Sequence, residues 1–315
     1  LRHIQYSQPV GRRALANTLD IGERVIRAQV EFLKTAGLVD FTPLGMMITN
    51  EGTAILSDMA EYIRLIHGLT GLEEELSGKL QVKQVVIVPG DSQVDQATLR
   101  ELGRAAASVL GQYLGNNMTI AVSGGSTMAT VAEALQTSAT GITVVPARGG
   151  LGEEVEYQAN TVASVMAARL GGKYRMLHIP DGLSEETLTA VLVKDSNVRS
   201  VAEMIRQADV LVYGIGQAYA MARRRNLDEV AMEKIVDGGA IGEALGHYCT
   251  LTGEVVHITN SVGLRLDELN RIGLVVAVAG GQDKAEAIVA VTRAGSQSVL
   301  VVDEAAAREI QAIIK

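Results

Sequence analysis

Ser123-Gly124-Gly125-Ser126-Thr127 sets two glycines among three hydroxyl side chains. It lies between an apolar run, Thr119–Val122, and residues 128–135, whose apolar spacing is helical. A strand, a tight turn and a helix in that order aim several backbone N–H groups and the positive end of the helix dipole at one point. An anion suits such a point. Gly124 and Gly125 let the backbone come close because they lack a Cβ, and Ser126 and Thr127 add hydroxyl donors. The loop does not end in G-K-[ST] and is not G-x-G-x-x-G, so neither a P-loop nor a dinucleotide is implied. Two readings fit these residues: a phosphate cradle, and a plain strand-to-helix turn in which Ser123, Ser126 or Thr127 caps the helix.

Further polar residues follow other apolar runs. Arg148 and Gly149 lie in Pro146-Ala147-Arg148-Gly149-Gly150, with Gln158 and Asn160 just downstream. Arg223, Arg224 and Arg225 follow Gly214-Ile215-Gly216, Glu243 precedes a hairpin signal, and Lys284 follows Gly280-Gly281. Any one of them reads as a solvated surface residue, and three consecutive arginines read as a solvated face. Their shared place after strand ends gathers cations at one edge, which suits a small phosphorylated ligand. Acid–base chemistry would need a positioned carboxylate or histidine. Asp91, Asp181, Glu243 and His247 are available for that, without a paired motif. The five histidines have no metal-ligand spacing, and no cofactor or metal is expected.

The elements that must position these residues repeat one pattern: apolar run, small-residue turn, helix. The runs are Gln84–Val88, Thr119–Val122, 142–145, 174–179, 210–213, Leu274–Val278 and 298–302. Their alternation with helices predicts an α/β fold, a Rossmann-like doubly wound parallel sheet over residues 84–315 that binds ligands at the carboxyl ends of its strands. Residues 245–258 read as an inserted hairpin. Residues 51–83 read as a linker helix with a seam of Ile55, Leu56, Met59, Ile63, Ile66, Leu69, Leu72 and Leu76, interrupted by Gly68 and Gly71. The seam suits a second subunit or the chain's own body.

Residues 1–50 read as a winged helix-turn-helix. Arg12–Leu19 and residues 23–36 are helices around the turn Asp20-Ile21-Gly22. Val25, Ile26, Val30 and Leu33 are expected inward, and Gly37 stops the second helix. Strands over 38–41 and 46–49 form the wing, and Asn50 is expected to cap the next helix. The second helix would enter the major groove with Arg24, Arg27 and Gln29, while Arg12 and Arg13 meet phosphates.

A chain of 315 residues, 47% hydrophobic and 20% charged, suits a soluble protein of two or three domains. It holds no signal peptide and no apolar run near the ~20 residues of a membrane span. The single cysteine, Cys249, excludes an internal disulfide, fits a reducing cytoplasm and reads as a buried strand residue. Net charge is −8. Residues 1–50 carry six Lys/Arg against four Asp/Glu, a head of +2 on a body of −10. Contact with nucleic acid is therefore expected at the head alone. The chain begins at Leu1, so residues are expected upstream and the first helix of the head is expected to be incomplete.

Taken together, these motifs resemble the SorC family of bacterial transcriptional regulators. The resemblance rests on Gly37-Leu38-Val39, Ser123-Gly124-Gly125-Ser126-Thr127, Val145-Pro146-Ala147-Arg148-Gly149-Gly150-Leu151-Gly152 and Gln158-Ala159-Asn160-Thr161. Arg224-Arg225-Asn226, Glu254-Val255-Val256-His257 and Ala279-Gly280-Gly281 belong to it too. It spans nearly the whole chain. It implies a repressor, binding operator DNA, whose effector domain is similar to sugar-phosphate isomerases and deaminases. Within the family's glycolytic branch the implied effector is fructose-1,6-bisphosphate, which weakens operator binding by a tetramer built from dimers. By the same resemblance Gly124, Gly125, Ser126 and Thr127 hold a phosphate. Arg148, with Gly149 beside it, Arg224 and Lys284 supply cationic contacts, and Gln158 and Glu243 hydrogen-bond the sugar. The alternative is a sugar-phosphate isomerase or deaminase, which the body's fold allows.

Overall fold

A computed structural model describes residues 1–136, 139–150 and 154–315. The chain folds as two compact units, Leu1–Thr70 and Gly71–Lys315.

In the first unit three helices, Arg2–Ser7, Arg12–Leu19 and Glu23–Thr35, precede the strands β1 (Val39–Thr42) and β2 (Gly45–Ile48). The strands pair antiparallel, with Val39 opposite Ile48 and Thr42 opposite Gly45. Ile4, Val10, Leu15, Ala16, Ile26, Val30, Val39 and Met46 form the core. The helix carrying Ile4 is thus part of that core; the sequence reading included residues 1–11 in the head without assigning them a helix. Val25, expected inward, is 53% exposed. The buried stripe of its helix runs through Ile26 and Val30, and Val25 lies about a quarter turn away from it. The helix after the wing is Asn50–Ile66, and its cap is Thr49 rather than Asn50, because the Thr49 hydroxyl accepts from Gly52 N at 3.0 Å.

The linker expected as one helix is two, Asn50–Ile66 and Leu69–Leu80, broken at Gly68 with φ +65°. The seam divides with it. Leu69, Leu72, Leu76 and Leu80 are buried, while Ile55, Met59 and Ile66 are exposed.

The second unit is built on a parallel sheet of seven strands. In chain order these are β3 (Gln84–Val88), β4 (Thr119–Val122), β5 (Thr143–Pro146), β6 (Lys173–Tyr174), β7 (Val210–Gly214), β12 (Leu274–Val278) and β13 (Val299–Asp303). Between β7 and β12 come β8 (Gly216–Gln217), β9 (Ala240–Ala244), β10 (His247–Thr250) and β11 (Val255–Ile258). The order across the large sheet is β3-β13-β12-β7-β4-β5-β6, parallel throughout. Both faces are covered. Ile120, Val122, Val210, Val212, Val276 and Val278 join one core with the helices Gln96–Tyr113, Ser126–Ala134 and Ala159–Arg169. Their strand neighbours Ala121, Leu211, Val275 and Ala277 point the other way and are equally buried.

The strand expected over 174–179 ends at Tyr174. Beyond it Asn160 takes both backbone groups of Leu177, donating from Nδ2 to its carbonyl and accepting from its N–H through Oδ1. That pairing replaces the ladder. The expected hairpin belongs to a separate four-stranded antiparallel sheet, ordered β11-β10-β9-β8. Cys249 lies buried in β10, and burial, with Glu243 second, pushes its thiol up to about 12. Among the described residues no helix is long and apolar enough to cross a membrane, and no group of three or more His, Cys, Asp or Glu could hold a metal ion.

Candidate functional site

Strand order locates the pocket. From β4 the chain winds outward through β5 and β6, and from β7 it winds the opposite way through β12 and β13. The loops after β4 and β7 therefore diverge at the switch point, where open α/β sheets leave a crevice. A cleft of about 230 Å³ opens there. Its lining includes Gly124, Gly125, Ser126, Thr127, Arg148, Gly149, Gln158, Arg224, Glu243 and Lys284, all ten residues expected of an effector site. Leu151 and Gly152 of the motif around Arg148 lie outside the described residues.

The helix Ser126–Ala134 begins after Gly125 with no side-chain cap. Ser123 does not cap it. Its N–H donates to the Val212 carbonyl, and its hydroxyl accepts from Gly214 N at 3.1 Å, which ties the β4 loop to the β7 loop. The two glycines have different reasons. Gly125 adopts φ +119°, a conformation that favours glycine, and Gly124 passes so close to the Tyr157 carbonyl that a Cβ would meet it at 2.5 Å. The close approach at Gly124 is to the chain's own backbone rather than to a ligand. The outcome is an uncapped helix N-terminus facing the cleft, with the Ser126 and Thr127 hydroxyls free of hydrogen bonds among the described residues. Such a terminus favours an anion by roughly 0.3–1 kcal/mol, more where partly buried.

The cations differ in their freedom. Lys284, half-buried at the start of the helix Ala285–Ala294, has no carboxylate partner among the described residues. Arg224 pairs with Glu154 Oε2 at 3.1 Å. Arg148 is 5% exposed. Its Nη2 lies 2.7 Å from Asp181 Oδ2 and its Nη1 lies 3.6 Å from Glu243 Oε1. Neither approach is aligned as a hydrogen bond, and Nε, Nη1 and Nη2 are all buried without one among the described residues. Burial, and next the Arg225 charge, pull the Arg148 guanidinium below its ordinary range, against Asp181 and Glu243. Arg148 is thus ion-paired with Asp181 while its N–H groups lack aligned acceptors among the described residues.

Glu243 reaches the cleft through the second sheet, where β9 pairs with β8 and Glu243 stands opposite Gly216. Sequence reasoning missed Arg225, taken as part of a solvated run. It ends the helix Ala218–Arg224 and turns inward to Asp181 and Glu243. Of the acid–base nominees only Glu243 lines the cleft. His247 is buried, with its Nδ1 at 3.1 Å from the Leu245 carbonyl oxygen and its pKa lowered by burial.

In the first unit Arg12, Arg13, Arg24, Arg27 and Gln29 are all exposed. Arg12 lies 3.9 Å from Glu31 and Arg13 lies 3.5 Å from Glu23, both loose surface pairs. Arg24 and Arg27 have no ion pair among the described residues. Helical spacing sets Arg24 opposite the buried stripe with Arg27 on its flank, but Gln29 lies about 160° round the helix from Arg27. The two do not share one face. Phe32, unremarked in the sequence reading, is 68% exposed on the outward side. With Val25 it offers apolar surface of the kind that meets thymine methyl groups.

Comparison with known proteins agrees with this division. A family model described as "CggR N-terminal DNA binding domain" matches residues 1–63. Another, described as "Putative sugar-binding domain", matches residues 65–312. The chain is 42% identical to a central glycolytic genes regulator of Priestia megaterium, over 98% of this chain and 91% of that one. It is 41% identical to the Bacillus subtilis protein of the same name, over 98% and 92%. A crystal structure of a "putative SorC family transcriptional regulator" from Enterococcus faecalis superposes with a TM-score of 0.71 at 38% identity, covering 76% of this chain and 99% of that one. The chain belongs to the SorC family of transcriptional regulators, with a DNA-binding head and a sugar-binding body.

Proposed function

We propose that this regulator represses glycolytic genes and that its effector is a phosphorylated sugar, first of all fructose-1,6-bisphosphate. The observation that carries this reading is the cleft's set of unused donors: an uncapped helix N-terminus, the Ser126 and Thr127 hydroxyls, and Lys284. A neutral sugar would leave that positive end without a counter-charge, whereas a phosphate takes amides, hydroxyls and ammonium together. Gln158 and the Glu243 carboxylate, further along the wall, suit sugar hydroxyls. The names of the two relatives supply the glycolytic genes and thereby the choice of sugar.

On this reading the head binds operator DNA through Arg12, Arg13, Arg24 and Arg27, with Gln29 at the margin of that surface, and the protein acts as a homo-oligomer, a dimer assembling to a tetramer on paired half-sites. Effector weakens DNA binding by favouring the state of lower DNA affinity, and linkage then requires that DNA weaken effector binding by the same factor. Fluorescence anisotropy tests this with DNA fragments selected by the full-length protein from a random pool. Specific binding that falls on adding fructose-1,6-bisphosphate is expected. Specific binding indifferent to every phosphorylated sugar tried overturns the effector assignment, and absence of specific binding overturns the repressor.

A further inference from the structure

Arg148, Arg225 and Glu243 in the cleft wall, with Asp181 behind them, form a charge-neutral square of buried side chains. Arg148 and Arg225 alternate with Asp181 and Glu243, each side chain 4–6% exposed. Charges so buried persist only when balanced, and removing one partner leaves another uncompensated. The two arginines are not equivalent. Arg225 donates from Nη1 to Asp181 Oδ2 at 2.9 Å and from Nη2 to Glu243 Oε1 at 3.1 Å, both aligned hydrogen bonds. Arg148 has none.

Glu243 is divided in the same way. Its Oε1 accepts from Arg225 and from Gly246 N at 2.7 Å. Its Oε2 has no hydrogen bond among the described residues and lies towards Gly216 in the cleft wall. Asp181 carries the square to a neighbouring segment, since its Oδ1 accepts from the Ser261 hydroxyl, which in turn accepts from Gly149 N at 3.3 Å.

We propose that Arg225 is a positioning residue for the effector. As counter-ion of Glu243 and, together with Arg148, of Asp181, it spares Arg148 full pairing with both carboxylates and leaves Glu243 Oε2 open to the ligand. This rests on the reading of the cleft as a sugar-phosphate site. Without Arg225, two carboxylates face one guanidinium. Arg148 is then drawn fully into pairing them, and its donors are lost to a phosphate.

Calorimetric titration of the full-length chain with fructose-1,6-bisphosphate tests the proposal, with thermal unfolding of each ligand-free variant alongside. In Arg225→Met the Kd is expected to rise about tenfold, the scale of one charge-assisted bond at a buried site. The double variant Asp181→Asn/Arg225→Met restores neutrality around Arg148 and Glu243, and its Kd is expected within about threefold of the unsubstituted chain, a coupling that independent sites would not show. A merely structural arginine would show the same loss and rescue in ligand-free thermal unfolding, so a Kd change beyond what unfolding accounts for is the mark of positioning. If Arg225→Met does not fold, Arg225→Lys keeps the charge but not the planar two-armed bridge, and its Kd is expected to rise by a smaller factor. An unchanged Kd in the folded single variant, or a double variant no better than the single, overturns the proposal. If Arg148→Ala abolishes binding while Arg225→Met leaves it intact, only the positioning role falls. If neither changes Kd, the cleft is not the site.

Discussion

Arg27 and Arg148 carry the same guanidinium in opposite surroundings. Arg27 stands in water on an exposed helix, without an ion pair among the described residues. Arg148 lies 5% exposed between two carboxylates. A charge in water is screened over about 8–10 Å at ordinary salt, so the head reads its partner through several weak contacts that sum. Inside the cleft desolvation makes each charge decisive, and geometry must be fixed beforehand. A head built this way tolerates loss of one residue, while the cleft does not.

Arg148→Ala sharpens that contrast most. It leaves two buried carboxylates to Arg225 alone and removes the donors offered to a phosphate. Affinity for fructose-1,6-bisphosphate should fall roughly 100-fold by calorimetry, the upper scale of a lost hydrogen bond between charged groups, with DNA binding in the absence of sugar intact. Next comes Lys284→Ala. The residue is half-buried and has no ion pair among the described residues, so a loss of about tenfold is expected, and raising the salt concentration should shrink the difference. In the head, Arg27→Ala should lower DNA affinity about equally on all sequences and make the plot of log K against log salt shallower by about 0.9. Sugar affinity measured without DNA should not move. The smallest effect belongs to Gln29→Ala, which sits beside the buried stripe and off the face of Arg24. A change within about 0.5 kcal/mol is expected in anisotropy. An Arg27→Ala loss as large as that of Arg148→Ala would break the comparison.

Much of the fold was legible because its signals are local. Arg12–Leu19 shows in leucine spacing, the wing in the turn Thr42-Pro43-Leu44-Gly45, and the parallel strands in short apolar runs before small residues. The helix over Arg2–Ser7 was not legible, since Ile4 alone marks its buried side. Val25 was misplaced because two adjacent β-branched residues fit an inward face equally well until the core chooses one. The ten pocket residues were legible as strand-end residues and by resemblance, but their meeting point depends on strand order, which no local pattern encodes. Glu243 shows this best, because it enters through pairing with Gly216, 27 positions earlier in the chain. Arg225 was hidden for another reason. In a run of three arginines nothing local marks Arg225, which follows the helix ending at Arg224, and carboxylates distant in sequence receive it.

The central claim is that a phosphorylated sugar is held at the switch point between β4 and β7. A crystal structure of the full-length protein with fructose-1,6-bisphosphate tests it most directly. The account predicts a phosphate group within hydrogen-bond distance of the Ser126 and Thr127 amides and of Lys284 Nζ, with sugar hydroxyls on Glu243 Oε2. A ligand bound elsewhere, with only solvent at that helix N-terminus, would contradict it.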